Sequence, residues 1–255
     1  MKVYTKKQLN KKLNKVYCID AIEGMSKIPD KSIDLIVTSP PYNIGSKKNL
    51  GYHPRSTIGD RYYDTYDDDI NDKKYCLWII QAIRECLRVS RYVFWNVQFL
   101  KSTRSSILLL QNEFQDNLID IFIWHKHAVS NITAKKSGGV AKGWEYVFMF
   151  GQGNLLFRYN NFPLNGYVPN IKTWFKSEHF KEHHATFPRS LPQYFIKYFT
   201  KEKDIVLDPF IGTGTTAVAA KLLGRNFIGF DIGKEYIRIA RRRLADIPKI
   251  NNRLA

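Results

Sequence analysis

Ile205-Val206-Leu207-Asp208-Pro209-Phe210-Ile211-Gly212-Thr213-Gly214-Thr215-Thr216 reads as a short apolar strand, a tight glycine turn and the first turn of an alanine-rich helix. Gly212 and Gly214 stand where missing side chains let the backbone turn sharply and approach a ligand closely. The helix is expected over Thr215 to Leu223, followed by a strand over Asn226 to Phe230 and a helix over Lys234 to Ala245. Asp231 ends that next strand, where a carboxylate can accept hydrogen bonds from both hydroxyls of a ribose. Gly212-x-Gly214-x-x-Ala217 also satisfies the dinucleotide fingerprint, so the loop by itself does not separate a nicotinamide dinucleotide from another nucleotide-type cofactor.

The same alternation runs upstream. A strand is expected over Val16 to Ile19, a short helix over Asp20 to Ile28, and a continuous apolar strand over Ile33 to Val37, the pattern of a buried parallel strand. Tyr75, Trp78, Ile79, Ala82, Ile83, Cys86 and Leu87 share one helical face, and strands are expected over Tyr92 to Trp95, Leu118 to Trp124 and Tyr146 to Phe150. Further helices are expected over roughly Phe99 to Leu110 and Leu191 to Phe199. Alternating strands and helices predict an α/β doubly wound, mostly parallel sheet with helices on both faces, in one domain over residues 1–255. Ligands of such sheets lie beyond the carboxyl ends of the strands, at the switch point.

Two stretches interrupt the pattern. Asn43 to Asp72 is long, polar and acidic, the kind of loop that is usually functional. Gly151 to Thr186 loses periodicity, and with the basic segment from His125 it forms a loop-rich insert over about 125–186.

Composition narrows the partners. Forty Lys plus Arg against 23 Asp plus Glu leave a net charge of +17, which points to a polyanion. Basic residues gather near the amino terminus and again at Arg238, Arg241, Arg242 and Arg243, although such clusters are often only solvated helix faces. Cys18, Cys76 and Cys86 lack metal-type spacing and are odd in number, which argues against a disulfide framework and for a reducing compartment. No apolar stretch is long enough to span a bilayer and no secretory leader precedes the first strand, so the expected location is cytoplasmic, with no membrane partner. His125-x-His127 and His183-His184 are better read as phosphate contacts or packing than as metal ligands, and no metal site is expected.

Thr38-Ser39-Pro40-Pro41-Tyr42 follows the strand that ends at Val37. An exocyclic ring amine is a poor nucleophile because its lone pair is delocalised. If the Ser39 oxygen and the Pro40 carbonyl accept its two hydrogens, the nitrogen can pyramidalise and aim that pair outward, and acceptors placed where positive charge develops lower the barrier. Two prolines stiffen the backbone that carries them. Tyr42 can stack on an extruded base. Read without the glycine loop, the tetrapeptide is also an ordinary strand-to-turn junction.

Together the two segments resemble the DNA amino-methyltransferases, in the subgroup whose catalytic block precedes the cofactor block. The resemblance extends from about Val16 to Ala245 and is weakest in the insert. It implies a seven-stranded-type Rossmann-like methyltransferase sheet, S-adenosylmethionine as cofactor, double-stranded DNA as substrate and a flipped target base. It also implies catalytic roles for Ser39, Pro40, Pro41 and Tyr42. Cofactor roles fall on Asp20 and Ala21 near the adenine amino group, on Asp208, Phe210, Gly212, Thr213, Gly214 and Thr215 around the methionine end, and on Asp231 at the ribose. Adenine-modifying members commonly begin the tetrapeptide with Asp and cytosine-N4 members with Ser. Ser39, and Ala185 in place of a proline in His184-Ala185-Thr186, favour cytosine N4 over adenine N6. No cysteine follows a proline as the covalent route to ring carbon 5 requires. A structured-RNA methyltransferase is the rival within the same chemistry. The resemblance is compatible with a restriction-modification system, a companion restriction endonuclease and a homodimer. Within the insert, Lys126, Lys135, Lys136, Lys142, Arg158 and Lys172 are candidates for phosphate contacts, and Asn131, Asn160, Asn161 and Asn170 for base edges.

Overall fold

The computed structural model describes residues 3–43, 70–126, 143–152, 169–174 and 187–247. Most of the expected long loop and of the insert therefore lies outside the described residues, including Lys135, Lys136, Lys142, Arg158, Asn131, Asn160, Asn161, His127 and the His183 to Thr186 segment.

Among the described residues eight strands form one sheet: β1 (Lys15–Cys18), β2 (Ile33–Thr38), β3 (Ser90–Val97), β4 (Leu118–Lys126), β5 (Trp144–Gly151), β6 (Ile171–Trp174), β7 (Ile205–Asp208) and β8 (Asn226–Asp231), in the spatial order β1-β8-β7-β2-β3-β5-β4-β6. Neighbours from β1 to β3 pair in parallel, and β5 alone runs against both β3 and β4. The helices are α1 (Lys6–Asn10), α2 (Ala21–Ser26), α3 (Asp72–Val89), α4 (Arg104–Glu113), α5 (Ser190–Phe199), α6 (Thr215–Leu222) and α7 (Lys234–Ala245). The eighth strand beyond the expected seven is β6, four residues inside the stretch read as aperiodic, which pairs in parallel with β4 at the sheet edge.

Side chains alternate across each strand, so the sheet has two cores. Ile36, Val93, Trp95, Phe148, Phe150, Leu207 and Ile228 face α2, α3 and α4. Leu35, Val37, Phe94, Val147, Met149, Val206 and Phe227 face α5, α6 and α7. On the second face Phe94 stacks on Phe195 at 4.1 Å between ring centres and meets Phe199 edge-on at 4.7 Å. Burial of one such ring is worth about 1.5–3 kcal/mol, so this aromatic cluster fixes α5 on the sheet. Helix α6 is alanine-rich because it is enclosed: Thr215 through Ala220 are all buried.

The switch in strand order lies between β7 and β2. The chain leaves β7 into the glycine loop and leaves β2 into the serine-proline tetrapeptide, so both loops open from adjacent parallel strands at the same edge of the sheet.

Candidate active site at the switch point

Thr38, the last residue of β2, donates from Oγ1 to Oδ1 of Asp208, the last residue of β7, at 2.6 Å. Both are buried. Asp208 also accepts from the Phe210 amide at 3.0 Å, and the Thr216 hydroxyl beside it donates to the Val37 carbonyl at 3.3 Å. Burial pushes its carboxyl up to about 6, against the downward pull of the neighbouring Thr38, Thr216 and Phe210 groups, and the Asp231 charge adds to the rise. Asp208 is thus consumed internally. It shapes the loop from beneath, and its side chain does not reach outward as a ligand contact was expected to.

The glycine loop is held from two further sides. Gly212 and Gly214 take positive φ angles of 49° and 88°. A Cβ on Gly214 would lie 2.8 Å from Cβ of Ala240, so glycine here serves close packing of the loop on α7. Arg243 donates from one guanidinium nitrogen to the Thr213 carbonyl at 2.7 Å and to Oγ1 of Thr215 at 3.2 Å. Thr213 and Thr215 are buried, so their side chains brace the loop. Of the carboxyl-terminal basic cluster only Arg243 is half-buried against the loop; Arg238, Arg241 and Arg242 are exposed, with Arg241 donating to the Val16 carbonyl and Arg238 paired with Glu235.

Phe210, Gly212, Asp231 and Asp20 remain on the accessible side. The Phe210 ring stands 5.3 Å from Trp78 and 5.9 Å from Trp95, an apolar wall. Asp231 accepts from the Gly212 amide at 3.0 Å and the Gly233 amide at 2.7 Å. Burial raises its pKa above the usual carboxylate value while these amides pull it back. Each oxygen keeps lone-pair capacity for a further donor. The Asp231 carbonyl accepts from the Ile19 amide at 2.9 Å, which brings the end of β1 and hence Asp20 to the same rim. Asp20 is exposed and caps α2 through the Glu23 amide, whereas Ala21 is buried in the first turn. Helix α6 begins at Gly214 without a side-chain cap, leaving its first-turn amides to other acceptors.

The tetrapeptide is anchored residue by residue. Tyr75 donates to the Pro41 carbonyl at 2.8 Å, and Ser102 to the Tyr42 carbonyl at 2.9 Å. The Tyr42 hydroxyl lies 3.0 Å from Ser39 Oγ and donates to Glu145 at 3.1 Å. Glu145 pairs in turn with Lys126 at 2.6 Å. Among the described residues, no hydrogen-bond donor reaches the Pro40 carbonyl. Tyr75 and Trp78 lie on one face of α3, so a single helix touches both Pro41 and Phe210 and joins the two loops into one site. Asn43, with φ 51°, exchanges two hydrogen bonds with the backbone of Ile70 and ties together the chain on either side of the long loop.

Sequence reasoning did not single out Thr38, Tyr75, Trp78, Ser102, Glu145 or Arg243 for the site. Glu145 did carry a signal: a lone carboxylate between Trp144 and Tyr146 at an inward strand position. Lys126, a candidate for phosphate, is committed to Glu145 and lies over the Trp124 ring at 5.2 Å. Lys172 and Asn170 remain exposed near the edge strand. His125 meets Thr173 at 3.0 Å. Among the described residues no group of three or more His, Cys, Asp or Glu is placed to hold a metal ion, and no helix is long and apolar enough to cross a membrane.

Comparison with known proteins bears on the same region. The sequence matches the N6_N4_Mtase family model, described as DNA methylase, over residues 33–242. Type II methyltransferase M.HinfI of Haemophilus influenzae is 30% identical over 264 residues, covering 95% of this chain and 71% of the relative. DNA adenine methyltransferase YhdJ of Escherichia coli K12 is 29% identical over 88% of this chain and 80% of the relative. The solved PvuII DNA methyltransferase, cytosine-N4-specific, superposes with a TM-score of 0.65 at 19% identity, covering 92% of this chain and 88% of that one. The family match spans both the tetrapeptide after β2 and the glycine loop after β7, the two segments that the fold brings to one rim: this chain belongs to the N6/N4 family of DNA methylases.

Proposed function

We propose that the protein transfers a methyl group from S-adenosylmethionine to N4 of a cytosine flipped out of double-stranded DNA, as the methylating member of a type II restriction-modification system. Ser39 carries the base assignment. It supplies a neutral acceptor where adenine-modifying relatives commonly place a carboxylate, and the likeness to a cytosine-N4-specific enzyme supports it.

The donor set fits the cofactor. Asp231 offers carboxylate lone pairs for ribose hydroxyls, Phe210 an apolar face, and the uncapped start of α6 offers backbone amides for a carboxylate. Asp20 at the neighbouring rim suits an adenine amino group. When bound, S-adenosylmethionine supplies a methyl group activated on a sulfonium centre.

Ser39 Oγ and the Pro40 carbonyl accept hydrogen bonds from the two N–H groups of the target amine and turn its lone pair towards the glycine loop, and one of those protons is released to solvent once the new carbon–nitrogen bond has formed. Because Tyr75, Ser102 and Glu145 already hold the tetrapeptide, little reorganisation is left for the transition state. Tyr42 offers its ring to the extruded base, worth about 1–3 kcal/mol per stacked base. Target recognition is assigned to the insert over 125–186, and the net charge of +17 supplies attraction to the phosphate backbone.

A second reading, adenine N6, is favoured by the likeness to the adenine methyltransferase of Escherichia coli. Incubation of the purified protein with labelled S-adenosylmethionine and duplex DNA, then digestion to nucleosides and mass spectrometry, separates the two. N4-methylcytosine is the expected product, and N6-methyladenine would reassign the base. Label appearing in structured RNA but not in duplex DNA would reassign the substrate.

A further inference from the structure

We infer that Glu145 is a positioning residue for methyl transfer, setting the direction of hydrogen donation along Glu145, Tyr42 and Ser39 so that the Ser39 oxygen faces the target amine as an acceptor only. This rests on the reading of Ser39 as the amine's acceptor.

The argument is one of hydrogens. Glu145 enters the site from β5, which runs antiparallel to β3 and β4, and is 6% exposed. One of its oxygens meets the Lys126 ammonium at 2.6 Å, and the other faces the Tyr42 hydroxyl at 3.1 Å. A carboxylate held against an ammonium can only accept, so the phenol spends its one hydrogen on Glu145. The 3.0 Å contact between Tyr42 and Ser39, in which either oxygen could donate on distance alone, then has a single solution: Ser39 donates. With its hydrogen spent, the serine oxygen has lone pairs left for the substrate.

Reversed, the chain would work against the reaction. A Tyr42 hydrogen directed at Ser39 would occupy a serine lone pair and free the serine hydrogen to bond the amine nitrogen, tying up the electron pair that must attack. A neutral serine is therefore made a one-way acceptor by a carboxylate two hydrogen bonds away. Lys126, seated over Trp124, completes the device.

The test compares steady-state methylation of duplex DNA by wild type, Glu145→Gln, Tyr42→Phe, the Glu145→Gln/Tyr42→Phe double variant and Ser39→Ala. Gln can donate as well as accept, so direction is no longer imposed. Glu145→Gln and Tyr42→Phe are each expected to lower kcat by about tenfold or more, with cofactor Kd within about twofold of wild type. The double variant should be no slower than Tyr42→Phe, because Glu145 acts through that hydroxyl. If Glu145→Gln fails to fold, Lys126→Met with Glu145→Leu replaces the ion pair by apolar groups of similar size and should show the same fall in kcat. Wild-type kcat in Glu145→Gln or in that paired variant overturns the proposal, as does a double variant showing the product of the two single losses. Wild-type turnover in Ser39→Ala overturns the acceptor reading itself. A slow Ser39→Ala beside an unaffected Glu145→Gln overturns only the positioning role.

Discussion

Thr38 and Asp208 stand 170 positions apart in the chain and share a 2.6 Å hydrogen bond between buried side chains. It couples the last residue before the tetrapeptide to the first acidic residue of the cofactor loop, so neither loop can shift along its strand without breaking a polar contact in a dry environment. Thr38→Val keeps the shape and removes the donor. A loss of about 1–3 kcal/mol in denaturant unfolding is expected, the cost of leaving a buried carboxylate short of one partner. Stability equal to wild type would remove this contact from the account.

Asp208 also predicts a pH dependence. Its folded pKa of about 6 lies above the ordinary carboxyl value near 4 of an unfolded chain. Between those values the folded protein holds a proton that the unfolded chain has released. The stability contributed by this group is therefore complete below about pH 4 and lost as pH rises through about 6. Thermal melts across pH 4 to 8 should show this decline in wild type and a flatter profile in Asp208→Asn. Parallel profiles would show that Asp208 is not the titrating group.

Gly214→Ala is expected to damage the loop in two ways. Its φ of 88° suits glycine, and the added methyl would lie 2.8 Å from Cβ of Ala240. A loss of about 1–3 kcal/mol is expected from the strained backbone alone, together with weaker cofactor binding. Melting temperature and calorimetric titration read the two effects separately.

Asp231→Ala removes the carboxylate that orders the Gly212 and Gly233 amides and faces the proposed ribose position. S-adenosylmethionine affinity should fall by about tenfold or more, the scale of losing charged hydrogen bonds. An unaltered calorimetric Kd would take Asp231 out of the cofactor site.

How much of this was legible follows from the range of each signal. Apolar runs such as Ile33 to Val37 and the helical spacing of Tyr75 to Leu87 reveal their elements because local periodicity carries the information. The place of Asp231 at a strand end was legible, because it follows from that periodicity. The direction of β5 was not, since alternation is identical in parallel and antiparallel strands. Strand β6 was hidden because four residues in an aperiodic stretch become a strand only by pairing with Ile123 to Lys126. Helix α1 buries only Leu9, although its Thr5 to Gln8 capping box was readable. Glu145 stood out only as a lone carboxylate in an apolar strand, and neither its hydrogen bond to Tyr42 nor the Arg243 brace on Thr213 could be read, because the partners are 103 and 30 positions away and such contacts leave no local mark.

The most direct test of the central claim, that the tetrapeptide and the glycine loop form one methyl-transfer site, is single-turnover methylation of duplex DNA by Ser39→Ala alongside calorimetric S-adenosylmethionine binding. The account predicts a rate reduced by about a hundredfold, the scale of losing one preorganised group at a developing charge, with cofactor affinity retained. Unchanged turnover would contradict it.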